Sequence, residues 1–443
     1  MASTMTPNVH TQLNESYKVL YADRLKYLLP ENFRYHRDIG TKKGRLGRQY
    51  NFPLVLKQEQ GFTYAAYNSG EVTFADTAPG IIKEAVAYGY QLFGWCGIDY
   101  ETAAKGANSK TSFVDSVGHI IESLYLSAQR RQEISGWYGQ SMLGRVATNG
   151  YTNDADKTND YITISTATWA PAMWIGAEGS YLTTLANGGA SATAGSTDGG
   201  TDATSMVISK VDMANKKIYC TTAGVGSTTA ECDDMSDIIG NDSTGDTVHF
   251  YSSVVATPTW KEQLGIHGIL YNPTTLFGLT CADYSLLQPT VVNVGSTVMS
   301  LEAIQDAAAQ GIAKGMEGKV NLYLNPASVA KMITDFGGLR RFMSQEGNKY
   351  TLGANDITIH CQGLLVNIVS HPFIWEGFGY MFNPEIFKRV QAYPLSSKVP
   401  GRGDDLFQLT QGKGSYSMQL YANEVLTCDA PCQGVCFYGI VNS

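Results

Sequence analysis

The chain has 443 residues, of which 43% are hydrophobic and only 16% charged, and Lys plus Arg number 32 against 40 for Asp plus Glu, a formal net charge of -8. That is enough chain for about two or three domains or one elaborated body, and the acidic balance argues against a nucleic-acid binder, which shows a basic domain or stripe. No apolar segment follows the start of "MASTMTPNVHTQLNESYKVL" and no run reaches about 18 apolar residues, so neither a secretory signal nor a membrane span is read, and synthesis in a cytoplasm is the default.

In chain order, residues 11–33 carry an amphipathic helix pattern around Leu13, Tyr17, Leu20 and Tyr21 that ends near Pro30. A basic segment follows, with Lys42, Lys43, Arg45 and Arg48. Next, Tyr50, Phe52, Leu54 and Leu56 fall on alternate positions, the period of a strand, and Pro53, which has no N–H for a ladder, puts it at a sheet edge. After Pro79-Gly80, "IIKEAVAYGYQLFGWCGIDY" nearly alternates for about twenty residues, roughly 65 Å if extended. Strands normally span about 3–10 residues. Either Gly89, Gly94 and Gly97 divide the run, or it is a long arm leaving the body.

"SKTSFVDSVGHIIESLYLSAQRRQEISGWYGQ" has Phe113, Val117, Ile120, Ile121 and Leu124 on one helical stripe, with a capping-box-like start at Ser112 and Asp115. A helix over 112–136 would be the longest regular element, about 37 Å. "ATWAPAMWIGAEGSYLTTL" reads as a second helix weakened by Gly176 and Gly179. From 186 to 200 the composition is that of a loop. "MVISKVDMANKKIYCTT" reads as a hairpin turning near Met213–Asn215, and "GDTVHFYSS" as a strand, so 187–256 looks like a small β-rich insertion. Ser300 is placed as a helix cap with a Met299–Ile304 staple. Asn325 caps a helix with Pro326 at its first position and Gly337 as its stop. "ITIHCQGLLVNIVSHPFIW" divides into two strands about Gly363.

Chemical motifs are missing. "GIAKGMEGKV" lacks the first Walker glycine and has Val320 where Ser or Thr belongs. No G-x-G-x-x-G or G-x-S-x-G occurs. His360 and His371 sit in strand-like runs without ligand spacing. Cys428, Cys432 and Cys436 are spaced C-x3-C-x3-C, not in the C-x2-C pairs of zinc sites, and free thiols are expected for all eight cysteines. Asp233-Asp234, Asp404-Asp405 and the Arg402-Gly403-Asp404 tripeptide lie in polar turns, and Asn14-Glu15-Ser16 is a formal sequon without a leader. No catalytic constellation, metal or cofactor is expected. The 46 glycines and 26 tyrosines fit a turn-rich β protein with extensive interfaces.

The order of elements, together with "SAQRRQEISGWYGQSMLG", "WAPAMWIGAEGSYL", "LYLNPASVAKMITDFGG", "LLVNIVSHPFIWEGFGYMFNPEIFKRV" and "QLYANEVLTCDAPCQGV", resembles the major capsid proteins of tailed bacteriophages with the Hong Kong 97-type fold. The resemblance covers nearly the whole chain outside 187–256. It implies an α+β fold with an N-terminal arm (1–38), an extended β-hairpin loop (39–104), a long spine helix at about 108–139 with peripheral domain (105–186), and the β-rich insertion (187–256). It further implies a mainly axial domain (257–370) and C-terminal strands returning to the peripheral domain (371–443). The implied role is non-enzymatic: a virion shell of hexamers and pentamers that encloses DNA without reading its sequence. Scaffold, portal and decoration proteins would be its partners, with no membrane and with synthesis in the host cytoplasm. Crosslinking or proteolytic maturation, known in the family, has no local motif here.

On this reading Lys42, Lys43, Arg45 and Arg48 meet acidic or polar groups on a second copy, and Phe52, Leu54, Phe62 and Tyr64 add apolar inter-subunit contact. Two other classes stay open: an adhesive or receptor-binding surface protein, from the Gly/Ser/Thr-rich β region, and a carbohydrate-active enzyme, from the tyrosines, tryptophans and scattered acids.

Overall fold

A computed structural model describes residues 33–43, 46–68, 70–101, 116–152, 160–185, 206–222, 246–253, 260–336, 357–397, 407–409 and 414–442. The helix expected over 11–33 lies outside them but for its last residue, as do Asn14, Arg45, Asp233-Asp234 and residues 402–405. The first elements are α1 (Arg34–Asp38), β1 (Gly40–Lys43), β2 (Tyr50–Lys57), β3 (Ile81–Ala87) and β4 (Tyr90–Asp99). The 23-residue α2 (Ser116–Tyr138) follows, then β5 (Gly144–Thr152), β6 (Tyr161–Ile164), α3 (Pro171–Trp174), β7 (Tyr181–Leu185), β8 (Met206–Asp212), β9 (Lys217–Thr222) and β10 (Thr247–Phe250). The remainder is α4 (Ile266–Leu270), β11 (Thr275–Leu276), β12 (Leu279–Thr280), β13 (Thr290–Thr297), α5 (Leu301–Ala313), β14 (Lys319–Leu324), α6 (Pro326–Phe336), β15 (Ile357–Cys361), β16 (Leu364–Ser370), β17 (Phe378–Phe382), β18 (Phe387–Ser396), β19 (Gln408–Leu409), β20 (Ser415–Cys428) and β21 (Val435–Ile440). The fold is mixed α/β and rich in sheet.

The long alternating run breaks where its burial changes phase. In β3 the odd residues Ala85 and Ala87 are buried, whereas in β4 the even positions face inward, down to buried Ile98. The switch falls at Tyr88-Gly89, and a Cβ at Gly89 would run into the side chains of Asn423 and Leu46. Among the described residues β2 and β3 pair only with each other, as Pro53 requires of an edge strand. β4 pairs in register with β20, from Tyr90↔Glu424 to Asp99↔Ser415. β20 continues to β18, and β18 to the parallel β1.

The inner face of β4 packs on α2. Cys96 of β4 and Ile121, Leu124 and Tyr125 of α2 pack against a small core formed by Ala128 of α2 with Met418 and Leu420 of β20. Helix α2, about 35 Å long, then enters the main core through Ile134, Trp137 and Tyr138. The expected start at 112 lies outside the described residues. The helix ends at a backbone crossing, where Gly265 N donates to Gly139 O at 2.9 Å. A Cβ on Gly139 would overlap the Gln263 carbonyl oxygen, and one on Gly265 would lie 2.7 Å from Trp137 O. Gly139→Ala should therefore lower stability by about 2 kcal/mol or more, because backbone must shift. A denaturant midpoint unchanged from the parent would contradict this.

The second helix expected in "ATWAPAMWIGAEGSYLTTL" is not formed. Only a 3-10 turn at Thr166–Thr168 and the single turn α3 are helical, and Gly176 and Gly179 take positive φ values of 66° and 81° that reverse the chain into β7. The carbonyls of Ala172 and Met173 accept from Arg130 Nη2 of α2 at 2.9 and 3.1 Å, and that of Gly176 from Arg130 Nη1 at 3.3 Å. The strands expected as a separate insertion over 187–256 close a barrel with earlier ones, in the order β10-β5-β6-β9-β8-β7. Its interior is filled by Ile162, Leu182, Met206, Ile208, Ile218 and Val248, so the hairpin of 206–222 is half of a core and not an appendage. The linker expected over 186–204 is outside the described residues.

A second sheet runs β13-β21-β17-β14-β16-β15. It takes β17 and β21 from beyond the boundary expected at 370/371, while β18 and β20 go to the sheet of β4. Ser300 Oγ accepts from Ala303 N at 3.1 Å, and Met299 and Ile304 are both buried, forming the expected cap and staple. Asn325 Oδ1 accepts from Ala327 N at 2.9 Å at the start of α6. Gln362 and Gly363, with φ values of 47° and 94°, make the expected turn between β15 and β16.

Candidate assembly interface

β2 and β3 form a ribbon whose ladder runs from Tyr50↔Ala87 to Lys57↔Ile81 and is extended by a Gln60↔Ala78 bridge. That spans about 35 Å. Its root is built into the body. Phe52, Ala85 and Ala87 are buried with Leu46, Val390 and Val425, the Phe52 ring stands edge-on to Phe277 at 5.4 Å, and Val86 N donates to Phe277 O at 3.0 Å. Its far end is bare. Phe62 is 79% exposed and Tyr64 97%, and Tyr67 and Phe74 are as open. Within the tip, Ala75 N donates to Thr63 Oγ1 at 2.7 Å.

A second apolar surface lies on the outer face of β4. Phe93 and Trp95 are exposed there, and Phe93 packs at 5.1 Å on Tyr421 of β20, which in turn meets Tyr393 at 5.8 Å. An isolated two-stranded ribbon is marginal in water, and its free edges invite pairing.

The sequence-based contact set divides between root and tip. Lys42 and Lys43 lie on β1, paired with Val390 and Gln391 of the same chain, and Lys42 Nζ sits 6.0 Å from the Tyr50 ring centroid. Arg48 is exposed at the root. Phe52, 7% exposed, and half-buried Leu54 belong to the chain's own core, which removes Phe52 as an inter-subunit contact: alternation aims it at the body. Phe62 and Tyr64 are at the open tip. Tyr67, Phe74, Phe93 and Trp95, also exposed, are not among the residues that the sequence pattern singles out. The signal for the last two was present, because in "LFGWC" the odd positions are aromatic while the even ones are also apolar, so both faces need cover.

The cysteines do not form a ligand set. Cys428 ends β20, Cys432 is in the turn Pro431–Gln433 and Cys436 is in β21. Burial pushes all three thiols up, opposite to the thiolate a metal needs. Among the described residues no three metal-ligating side chains converge. His360 is in β15, and buried His371 sits with Nε2 3.1 Å from Glu133 Oε1, out of line for a hydrogen bond.

No family model matches the chain, and no curated protein matches it. Among solved structures, it is similar to a chain of the Cyanophage A-1(L) capsid asymmetric unit, with 10% identity and a TM-score of 0.48 over 96% of this chain and 98% of that one. It is also similar to a chain of the capsid of a native GTA particle, with 7% identity and a TM-score of 0.48 over 98% and 100%. A chain of the capsid of Cyanophage P-SCSP1u gives 10% identity and a TM-score of 0.45 over 100% and 97%.

Proposed function

We propose that this chain is the major capsid protein of a tailed bacteriophage, assembling as hexamers and pentamers into the head shell. The carrying observation is the ribbon with a root in its own core and a tip of exposed aromatic rings. Covering one such ring is worth about 1.5–3 kcal/mol, and the tip leaves four uncovered. A neighbouring copy supplies that cover in a closed shell, where every subunit donates a tip and accepts one. The same logic applies to Phe93 and Trp95. The order of elements read from the sequence supports the assignment of the ribbon as the extended loop and of α2 as the spine helix.

On this reading the protein resides in the virion, is made in the host cytoplasm, performs no catalysis and encloses DNA without sequence-specific contacts. Scaffold, portal and decoration proteins complete the particle. Lys43 and Arg48 add exposed ion pairs to a second copy, each worth about 0.2–1 kcal/mol, well below the apolar contribution. Exposed aromatics also suit an adhesive surface protein, and one experiment separates the two. The triple variant Phe62→Ser, Tyr64→Ser, Phe74→Ser should keep its circular dichroism and thermal transition, because these rings touch no core, yet form no shells by electron microscopy under conditions where the parent does. Shells at parental yield would refute the assembly role of the tip. A parent that stays monomeric and binds cell surfaces would favour adhesion.

A further inference from the structure

A hollow of about 160 Å³ opens beside Phe33, the first described residue. Its floor is apolar: Ile134 of α2, Met173 of α3, Ala177 and Phe250 of β10 are all buried. Its sides are Phe33 and Leu126, both half-buried. The charged groups beside it are engaged elsewhere. Arg130 donates to the carbonyls of Ala172, Met173 and Gly176, and the Arg131 guanidinium lies flat on Phe250, 3.2 Å from the ring centroid. The charges of Glu178 and Glu262 act on Arg130 and Arg131 respectively. The volume is below the roughly 300–1,000 Å³ of small-molecule sites, so the hollow suits one or two aliphatic side chains.

The chain itself ends at the lip of this hollow. Phe33 is held 6.4 Å from Phe373, and two residues on, Tyr35 N donates to Glu133 Oε1 at 2.9 Å. The 32 residues before Phe33 therefore join the body at the hollow's own wall. In "YADRLKYLLPEN", Leu25 and Leu28 follow Tyr21 at i+4 and i+7, continuing the stripe of Leu13, Tyr17 and Leu20. Leu28 is five residues from Phe33, at most about 18 Å of chain. A tether that short puts it at a high effective concentration over the hollow. We propose that residues 20–32 fold back along α2 of their own chain, with Leu28 seated in the hollow against Leu126, Met173 and Phe250 and Leu25 following one turn away. The N-terminal segment is then a cover for its own long helix and not a tether to a neighbour, whether or not the chain builds a shell.

Two measurements on the full chain test this. In the first, Leu28 is replaced by the photoreactive p-benzoylphenylalanine, and equal amounts of unlabelled and nitrogen-15-labelled chains are mixed and irradiated. Residue 28 is expected to link to peptides carrying Leu126–Ile134, Met173 or Phe250, with both halves of each product from one isotope. Products of mixed isotope would overturn the proposal in favour of an arm that reaches a second copy. Links elsewhere, or none, would overturn it in favour of a hollow left to another occupant. In the second, hydrogen exchange of the parent amides over 20–32 should be at least about tenfold slower than in the unfolded chain. Leu126→Asp, which alters the wall and not the segment, should return them to the unfolded rate while amides 132–138 of α2 stay protected. Unfolded-rate exchange in the parent, or undiminished protection in a folded Leu126→Asp, would refute the docking. Should Leu126→Asp not fold, the photochemical result on the otherwise intact chain decides alone.

Discussion

Lowering the pH from 7 to 5 should remove about 6 kcal/mol of folding stability, through three histidines held neutral inside the fold. Burial lowers His36 to about 4 and His249 and His267 to about 3. For His36 the adjacent guanidinium pushes the same way: Arg389 Nη1 lies 2.8 Å from Nδ1, which must stay an acceptor, and the Glu133 charge opposes only in part. His267 Nδ1 is 2.9 Å from Tyr380 Oη and enclosed by Trp375, Tyr271 and Phe378. His249 Nε2 is 2.8 Å from Thr247 Oγ1 and packs on Trp260. In the unfolded chain each imidazole takes a proton near pH 6.5, whereas in the folded chain it does so only near 4 or 3. The stabilisation is thus complete above about pH 6.5 and is lost as pH falls toward the folded values. At pH 5 each contributes a loss of about 2 kcal/mol. The total is comparable to the whole stability of a domain, about 5–15 kcal/mol, so acid unfolding should set in between about pH 5 and 4. Denaturant midpoints of the dissociated chain at pH 7 and 5 measure this. His267→Gln should flatten the dependence by about a third; an unchanged slope would show that His267 does not titrate with folding.

Replacing Glu133 by alanine should destabilise the fold by about 3–5 kcal/mol. The carboxylate is fully buried on α2 and accepts from Tyr35 N at 2.9 and 3.1 Å and from Trp137 Nε1 at 2.9 Å. It joins the segment before β1 to the helix across 98 residues of sequence. Without it a buried amide and an indole N–H lose their acceptor, and each unmatched donor costs about 1–3 kcal/mol. Glu133→Gln keeps one acceptor oxygen and should fall between the two. The shift should be in the denaturant midpoint at constant slope. Alanine tolerated within about 0.5 kcal/mol would mean that this carboxylate does not anchor the arm.

Elements that depend on near neighbours were legible in the sequence. Ser300 and Asn325 cap their helices, Gln362-Gly363 turns its hairpin, Pro53 marks an edge, and the alternation over 50–57 is a strand, because each is a matter of backbone chemistry within a few residues. The second helix in "ATWAPAMWIGAEGSYLTTL" was misread because its apolar residues are buried on all sides, and no face then reports a period. Only the tertiary structure decided the rest: that the strands after 205 close a barrel with β5, β6 and β7, that β1 lies parallel to β18, and that Phe52 serves its own core. These depend on pairings between segments far apart in the chain. Many partners satisfy the same hydrophobic pattern there, and the choice is made by the packing of the whole core at once.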